Sequence, residues 1–324
     1  MSFIGRQAGV GWAKEASRGT AEASADVFIP YTSISANDVP DKVVDEASVG
    51  VLANAVGDAV VTKKSEISIE GKVEVVSAGD LMLQALGQVS SQAQGDGTYK
   101  HTFSFANNSQ HPSYTIFKYD PVASFRYALA MMSKLELNLQ LGQYFLFTAE
   151  YTAKSGESVL VTPSYASNQY NFLPQHASVR FADTISGLDT AQAICTRVAS
   201  ISIDKGVITD QCLGSQDYND ILNGQIQISG SLELVFNTDQ YRQWMMSDAK
   251  KAMRLEVKDS GTTIGTVNAN PSITIDLYNV KIQATPVSYE QSELATVTVD
   301  FNAYYSVVDA EIAKATIINT KANY

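Results

Sequence analysis

Residues 66–86, EISIEGKVEVVSAGDLMLQAL, and residues 225–245, QIQISGSLELVFNTDQYRQWM, read as one unit written twice. In the first copy Ile67, Ile69, Val73 and Val75 alternate with Ser68, Glu70, Lys72 and Glu74 around Gly71. That period of two predicts a strand with one apolar and one polar face. Asp80 then opens the run Leu81, Met82, Leu83, Ala85 and Leu86, which stops at Gly87. An acidic start and a glycine stop predict a short helix. Laid over the second copy, Ile67 matches Ile226, Ile69 matches Ile228, Gly71 matches Gly230, and Val73 matches Leu232. Glu74 falls on Glu233, Val76 on Val235, Asp80 on Asp239 and Gln84 on Gln243. An in-strand glycine, an acid three residues on and a helix-opening Asp all recur in register, which points to an internal duplication.

The strand pair in 134–153 resembles, more weakly, the one in 279–306, where the connecting loop is longer. Short alternating runs bounded by Gly, Asp, Asn and Pro dominate the chain from Val27 onward, so it is expected to be mainly β. The expected layout is an N-terminal arm at 1–27, a first β-domain at 28–154 and a linker at 155–178. A second domain at 179–308 and a C-terminal extension at 309–324 complete it. In each domain the helix packs its apolar side outside its own sheet, with Leu83, Leu86, Trp244 and Met245 as anchors.

Composition narrows the function. Hydrophobic residues at 45% and charged residues at 18% belong to a chain that folds around real cores. A net charge of −11 argues against a groove that grips phosphates, so nucleic acid would be guided and not held. Cys195 and Cys212 are too sparse for a disulfide framework or a zinc site and are expected to be small buried apolar residues. The N-terminus shows no apolar core of a secretory signal, and no stretch approaches the length of a membrane span, so folding in a cytoplasm is expected.

The sequence carries no recognisable catalytic pattern. His101, His111 and His176 stand in separate loop-like contexts, without metal-ligand spacing, and are expected at the surface or in turns. Asp217, Asn219 and Gly224 fail as a calcium loop because Ile221 and Ile228 occupy ligand positions. Two S-x-x-K tetrapeptides, at 202–205 and 247–250, lack the companion elements of that acyl-enzyme chemistry. No cofactor, metal or catalytic residue is assigned. Tyr165, Tyr170, Tyr304 and Tyr305 suit aromatic packing and subunit contacts better than a stacking platform.

GWAKEASRGTAE (11–22), VDEASVG (44–50) and 202–236 resemble the tail tube proteins of long-tailed, non-contractile bacteriophages. The resemblance runs over most of the chain. It implies two tandem tail-tube-type β-sandwich or barrel domains, each with a short flanking helix, whose sheets join those of neighbours into an inner barrel. It implies a long loop reaching the next ring, at 44–61 in the first copy and 209–224 in the second. The arm and the segment 309–324 would serve ring or subunit contacts. A chain with two tube domains would close a pseudo-sixfold ring as a homotrimer, although rings of six chains stay open. The protein would be a virion component assembled in the host cytoplasm. Its partners would be itself, tail terminator, tape measure and tail-tip proteins, and double-stranded DNA passing without specific binding, with no membrane.

The polar strand faces would line the lumen. In the first copy these are Glu66, Ser68, Glu70, Lys72 and Glu74; in the second they are Gln225, Gln227, Ser229, Ser231 and Glu233. The competing readings are a two-domain β-sandwich binding module or adhesin recognising a surface carbohydrate or protein, and a hydrolase on a β scaffold.

Overall fold

The computed structural model describes residues 3–166, 169–266 and 269–324, so 1–2 of the expected arm and 167–168 of the expected linker lie outside it. The chain is mainly β, with two short α-helices. Along its first half run β1 (Gly9–Lys14), β2 (Val27–Ile29), β3 (Tyr31–Asp45), β4 (Gly57–Lys72), α1 (Ser77–Leu86), β5 (Gly87–Ala93), β6 (Tyr99–Phe105), β7 (Tyr114–Tyr119), β8 (Phe125–Gln140), β9 (Leu146–Ala153) and β10 (Glu157–Ser158). The second half carries β11 (Ala177–Ala182), β12 (Thr196–Asp204), β13 (Ile208–Asp210), β14 (Asp220–Leu222), β15 (Gln227–Val235), α2 (Gln240–Met246), β16 (Lys251–Lys258), β17 (Ser272–Ala284), β18 (Val287–Ser288), β19 (Thr296–Tyr304) and β20 (Ala313–Asn319).

Antiparallel pairing places β3, β4, β9 and β8 side by side, then β12, β15, β19 and β17 in the same manner. The two runs meet where β8 pairs with β12 from Lys134 to Gln140. One eight-strand layer therefore crosses both halves. A single cross-strand row runs along it through Tyr31, Gly71, Phe147, Leu137, Ile201, Gly230, Phe301 and Ile282. In each half a glycine stands beside a phenylalanine on the next strand, and the physical reason is space. A Cβ on Gly71 would sit 3.0 Å from the Phe147 ring, and one on Gly230 would sit 2.4 Å from the Phe301 ring.

Each half also has a second layer, reached through one long bent strand. Below a bulge between Met132 and Lys134, β8 leaves the shared layer and pairs with β7 and β10, while β7 pairs with β1 and β1 with β2. The N-terminal part of β17 likewise pairs with β16 and β20, and β16 with β11. Apolar residues from both halves form one contiguous core.

Several sequence expectations change here. The arm is not free: Gly9–Lys14 is a strand with Val10 and Trp12 buried, its period hidden by the glycines between them. The C-terminal extension is also ordered, because β20 is inserted between β17 and β6 and so ties the chain end to the first half. Helix α1 begins at Ser77, so Asp80 lies in its first turn instead of opening it, and the Asp80 carboxylate meets Lys321 Nζ at 3.1 Å. Asp239 does stand at the start of α2, but its side chain does not cap the helix. Both cysteines are exposed. His101 and His111 are buried, where His101 contacts Ser91 and the Lys321 carbonyl and His111 Nε2 contacts the Ala106 carbonyl at 2.8 Å. Their loop-like sequence contexts gave no hint of the neighbours that cover them.

Candidate functional site

Alternation gives the eight-strand layer two chemically distinct faces. Ile69, Ala149, Leu135, Ile203 and Ile228 share one cross-strand row and are all buried. The adjacent row projects from the opposite face and reads Ser33, Glu70, Thr148, Glu136, Ser202, Ser229, Asn302 and Lys281. The next polar row carries Ser35, Ser68, Glu150, Lys134, Asp204 and Gln227. None of these side chains is fully buried.

Of the residues expected on this face, Glu66, Ser68, Glu70 and Lys72 lie on it in the first copy. Gln227, Ser229, Ser231 and Glu233 lie on it in the second. Two do not fit. Glu74 follows the end of β4 and is 4% exposed, its carboxyl pushed above the usual range by burial despite the nearby Lys72. Gln225 is exposed but precedes the start of β15. The face also recruits residues the sequence reading missed, from β8, β9, β12 and β19: Lys134, Glu136, Asn138, Thr148, Glu150, Ser200, Ser202, Asp204, Asp300 and Asn302. The alternation in KLELNLQ and TVTVDFNAY carried that signal.

Electrostatically the face is acidic with local compensation. Glu66, Glu70, Glu136, Glu150, Asp204, Glu233 and Asp300 stand against Lys64, Lys72, Lys134, Arg197 and Lys281, of which Lys64 pairs with Glu66 at 2.8 Å and Lys281 with Asp248 at 2.8 Å. Lys134 pairs with Glu136 at 2.5 Å, and Arg197 reaches Glu233 at 3.9 Å. Such half-exposed pairs add little stability, but they hold the cations against carboxylates. Neither of these two polar rows contains an aromatic ring; at the margins of the face Tyr304 follows Asp300 and Asn302 along β19, and Lys72 Nζ lies over the Tyr144 ring at 4.8 Å.

Two appendages leave the layer. The β3–β4 hairpin continues from 57 to 64 without β9 beside it, a projection of roughly 25 Å at strand rise. Val49, Val51, Leu52 and Val56 are exposed around its tip. In the second half the corresponding connection holds the small β13–β14 pair, with Leu213 exposed. The two appendages touch: Lys63 N donates to the Gln216 carbonyl at 2.9 Å, and Gln216 Nε2 donates to the Val60 carbonyl at 3.0 Å.

At the joint between the halves lies Lys205, buried, its Nζ donating to the Gln84 carbonyl at 2.5 Å. Burial, with Arg18 adding to it, pulls this lysine down to about 7. Burial, then Lys205, pulls His111 down to about 4. Among the described residues no group of His, Cys, Asp or Glu is placed to hold a metal ion, and no helix is long and apolar enough to cross a membrane.

Comparison with known proteins gives a family-level match. The profile of a family described as phage tail tube protein matches residues 5–303. Among solved structures, a chain titled "Crystal structure of Hcp protein" is 11% identical. That alignment covers 43% of this chain and 96% of the other, with a TM-score of 0.25, too low to carry an argument. No curated protein matches.

Proposed function

As a member of the phage tail tube protein family, the chain is a structural virion component and not an enzyme, and we propose that it forms the conduit for DNA ejection in a non-contractile tail. The eight-strand layer with one polar, acidic face carries this reading. Double-stranded DNA sliding past such a face meets carboxylates and hydroxyls in place of a run of cations. Each phosphate held by a lysine or arginine would release counterions and add a point of friction. The lumen face is built from Glu66, Ser68, Glu70, Lys72, Gln227, Ser229, Ser231 and Glu233, with the added residues of β8, β9, β12 and β19.

The chain is a duplicated tube unit, with domains at 28–154 and 179–308. The repeated strand order and the Gly–Phe neighbours at 71 and 147 and at 230 and 301 support this. Two units per chain make a homotrimer equivalent to a ring of six units. The β3–β4 hairpin and the 209–224 loop reach the adjacent ring, where their exposed valines and leucines gain cover. Tail terminator, tape measure and tail-tip proteins bound the tube, which assembles in the host cytoplasm.

Negative-stain microscopy of the purified chain tests the reading. Rings or long hollow cylinders are expected at high protein concentration. A particle that stays monomeric under all assembly conditions would favour a binding module instead.

A further inference from the structure

The segment 206–224, which carries β13 and β14, leaves the second half at Lys205 and returns at Gly224, and its two feet touch. Gly224 N donates to the Lys205 carbonyl at 3.1 Å, and a Cβ on Gly224 would lie 2.1 Å from the Gly206 carbonyl oxygen. Both feet are fastened to the first half. Lys205 N donates to the Ser133 carbonyl at 2.8 Å and Asn223 N to the Ser109 carbonyl at 2.8 Å. The Arg18 guanidinium reaches Asp220 at 2.8 Å and the His111 carbonyl at 2.6 Å. The Lys205 side chain runs inward and ends at the last turn of α1, on the Gln84 carbonyl.

A charged ammonium fits this place poorly. Lys205 is 1% exposed, and among the described residues its side chain has the Gln84 carbonyl as its one acceptor. The carboxylates on the elements around it are engaged elsewhere: Asp220 by Arg18 and Gln110, Asp80 of α1 by Lys321, Glu15 by Ser113 and Thr115, and Asp204 by the Gly206 amide. Lys134 of β8 is paired with Glu136. Burial, and then Arg18, hold the Lys205 amine down to about 7, while His111, held down to about 4, stays uncharged near neutrality. The carbonyls of a helix end compensate an ammonium in part. A buried charge without a carboxylate partner costs more than one such contact returns. The side-chain amides of Gln84 and Asn223 and the Nδ1 of His111 are buried without partners as well, so the polar groups at this joint are incompletely satisfied.

We propose that Lys205 makes the base of this loop a proton-linked hinge: the feet stay fastened while the buried amine is uncharged, and a proton taken up from solvent at Nζ releases 206–224 locally while the eight-strand layer stays intact. The release reaches the other appendage, because Lys63 N donates to the Gln216 carbonyl and Gln216 Nε2 to the Val60 carbonyl. Freeing the loop therefore removes a support of the β3–β4 hairpin. The hinge is a property of the single chain and does not depend on the tube reading. The sign follows from linkage: the closed loop binds fewer protons than the open one above pH 7, so opening becomes easier as pH falls toward that value and levels off below it.

Hydrogen exchange of the full, dispersed chain at several pH values, corrected for the intrinsic exchange rate, tests the hinge. Linkage to an amine held near 7 when closed and freed when open predicts that protection at 206–224 falls about tenfold from pH 8 to pH 6, most of it above pH 7. The Lys63 amide should follow, and amides of β12, β15 and β19 should not. In K205M, which keeps a long uncharged side chain, protection at 206–224 should be the same at both pH values. Three results would overturn the proposal: wild-type protection at 206–224 that does not change with pH, a fall shared equally by the layer, or a K205M profile with the wild-type fall. If K205M does not fold, the wild-type series decides alone, because a fall confined to 206–224 and Lys63 supports the hinge and any other pattern removes it.

Discussion

Helices α1 and α2 follow strands of similar sequence pattern, β4 and β15, yet α1 is buried at every residue while α2 fully buries only Tyr241. The difference comes from what the rest of the chain lays over each. The β5–β6 hairpin is inserted after α1, β20 pairs with β6, and the chain end folds back so that the Tyr324 hydroxyl donates to the Val76 carbonyl at 2.6 Å. The Tyr324 ring occupies the space a Cβ at Gly79 would need. In the second half α2 runs almost directly into β16, and Trp244 rests at the surface against Phe181, with Lys251 Nζ over its ring at 4.5 Å. Similar local patterns thus acquire different energetic weight from distant parts of the chain.

The largest expected effect is at Leu83, which is 1% exposed. L83A should cost about 2 to 5 kcal/mol in urea unfolding through lost burial and the cavity left behind. W244A should cost less despite the larger side chain, because Trp244 is only partly buried. Equal losses would break the contrast between the helices. The chain end sharpens it: Y324A should destabilise by less than L83A, because Tyr324 is partly buried like Trp244, and should expose α1 to faster amide exchange. Unchanged protection across 77–86 would show that the tail is not what covers this helix.

The two repeated glycines give the next test. G230A should destabilise by about 1 to 3 kcal/mol from overpacking, and G71A by less. The added methyl group would lie 2.3 Å from the Ser200 carbonyl at 230, against 2.8 Å from the Pro30 carbonyl at 71. Thermal unfolding of the two variants checks the order, and the reverse order would contradict the spacing.

A smaller, pH-dependent effect belongs to the joint. Lys205 is held down to about 7, so between that value and the ordinary lysine range the folded chain binds fewer protons than the unfolded one. Its contribution therefore makes stability climb as pH rises above 7, with the full penalty present below it. K205M should flatten the climb in urea midpoints between pH 7 and 9. An identical slope in the variant would place the pH dependence elsewhere.

Much of the layer was legible because a strand buried on one side writes its register as alternation. Ile67, Ile69 and Ile228 announced the core side, and Glu70 and Ser229 the polar one. Glu74 misled because alternation continues in sequence past Lys72, where pairing with β9 ends, while Glu74 bridges Asn171 instead, and periodicity does not record a change of partner. The cover of α1 was illegible for a related reason: β20 and Tyr324 reach it across more than two hundred positions, and no local period encodes such a contact. Nor did single strands reveal that β8 and β12 join the halves, which is a property of edges and not of faces.

A side-chain-resolution reconstruction of assembled cylinders tests the central claim most directly. The predicted result is a lumen lined by Glu70, Glu136, Glu150 and Glu233, with three chains in each ring. Cylinders in which these carboxylates point to the outer surface, or in which lysine and arginine line most of the lumen, would contradict it.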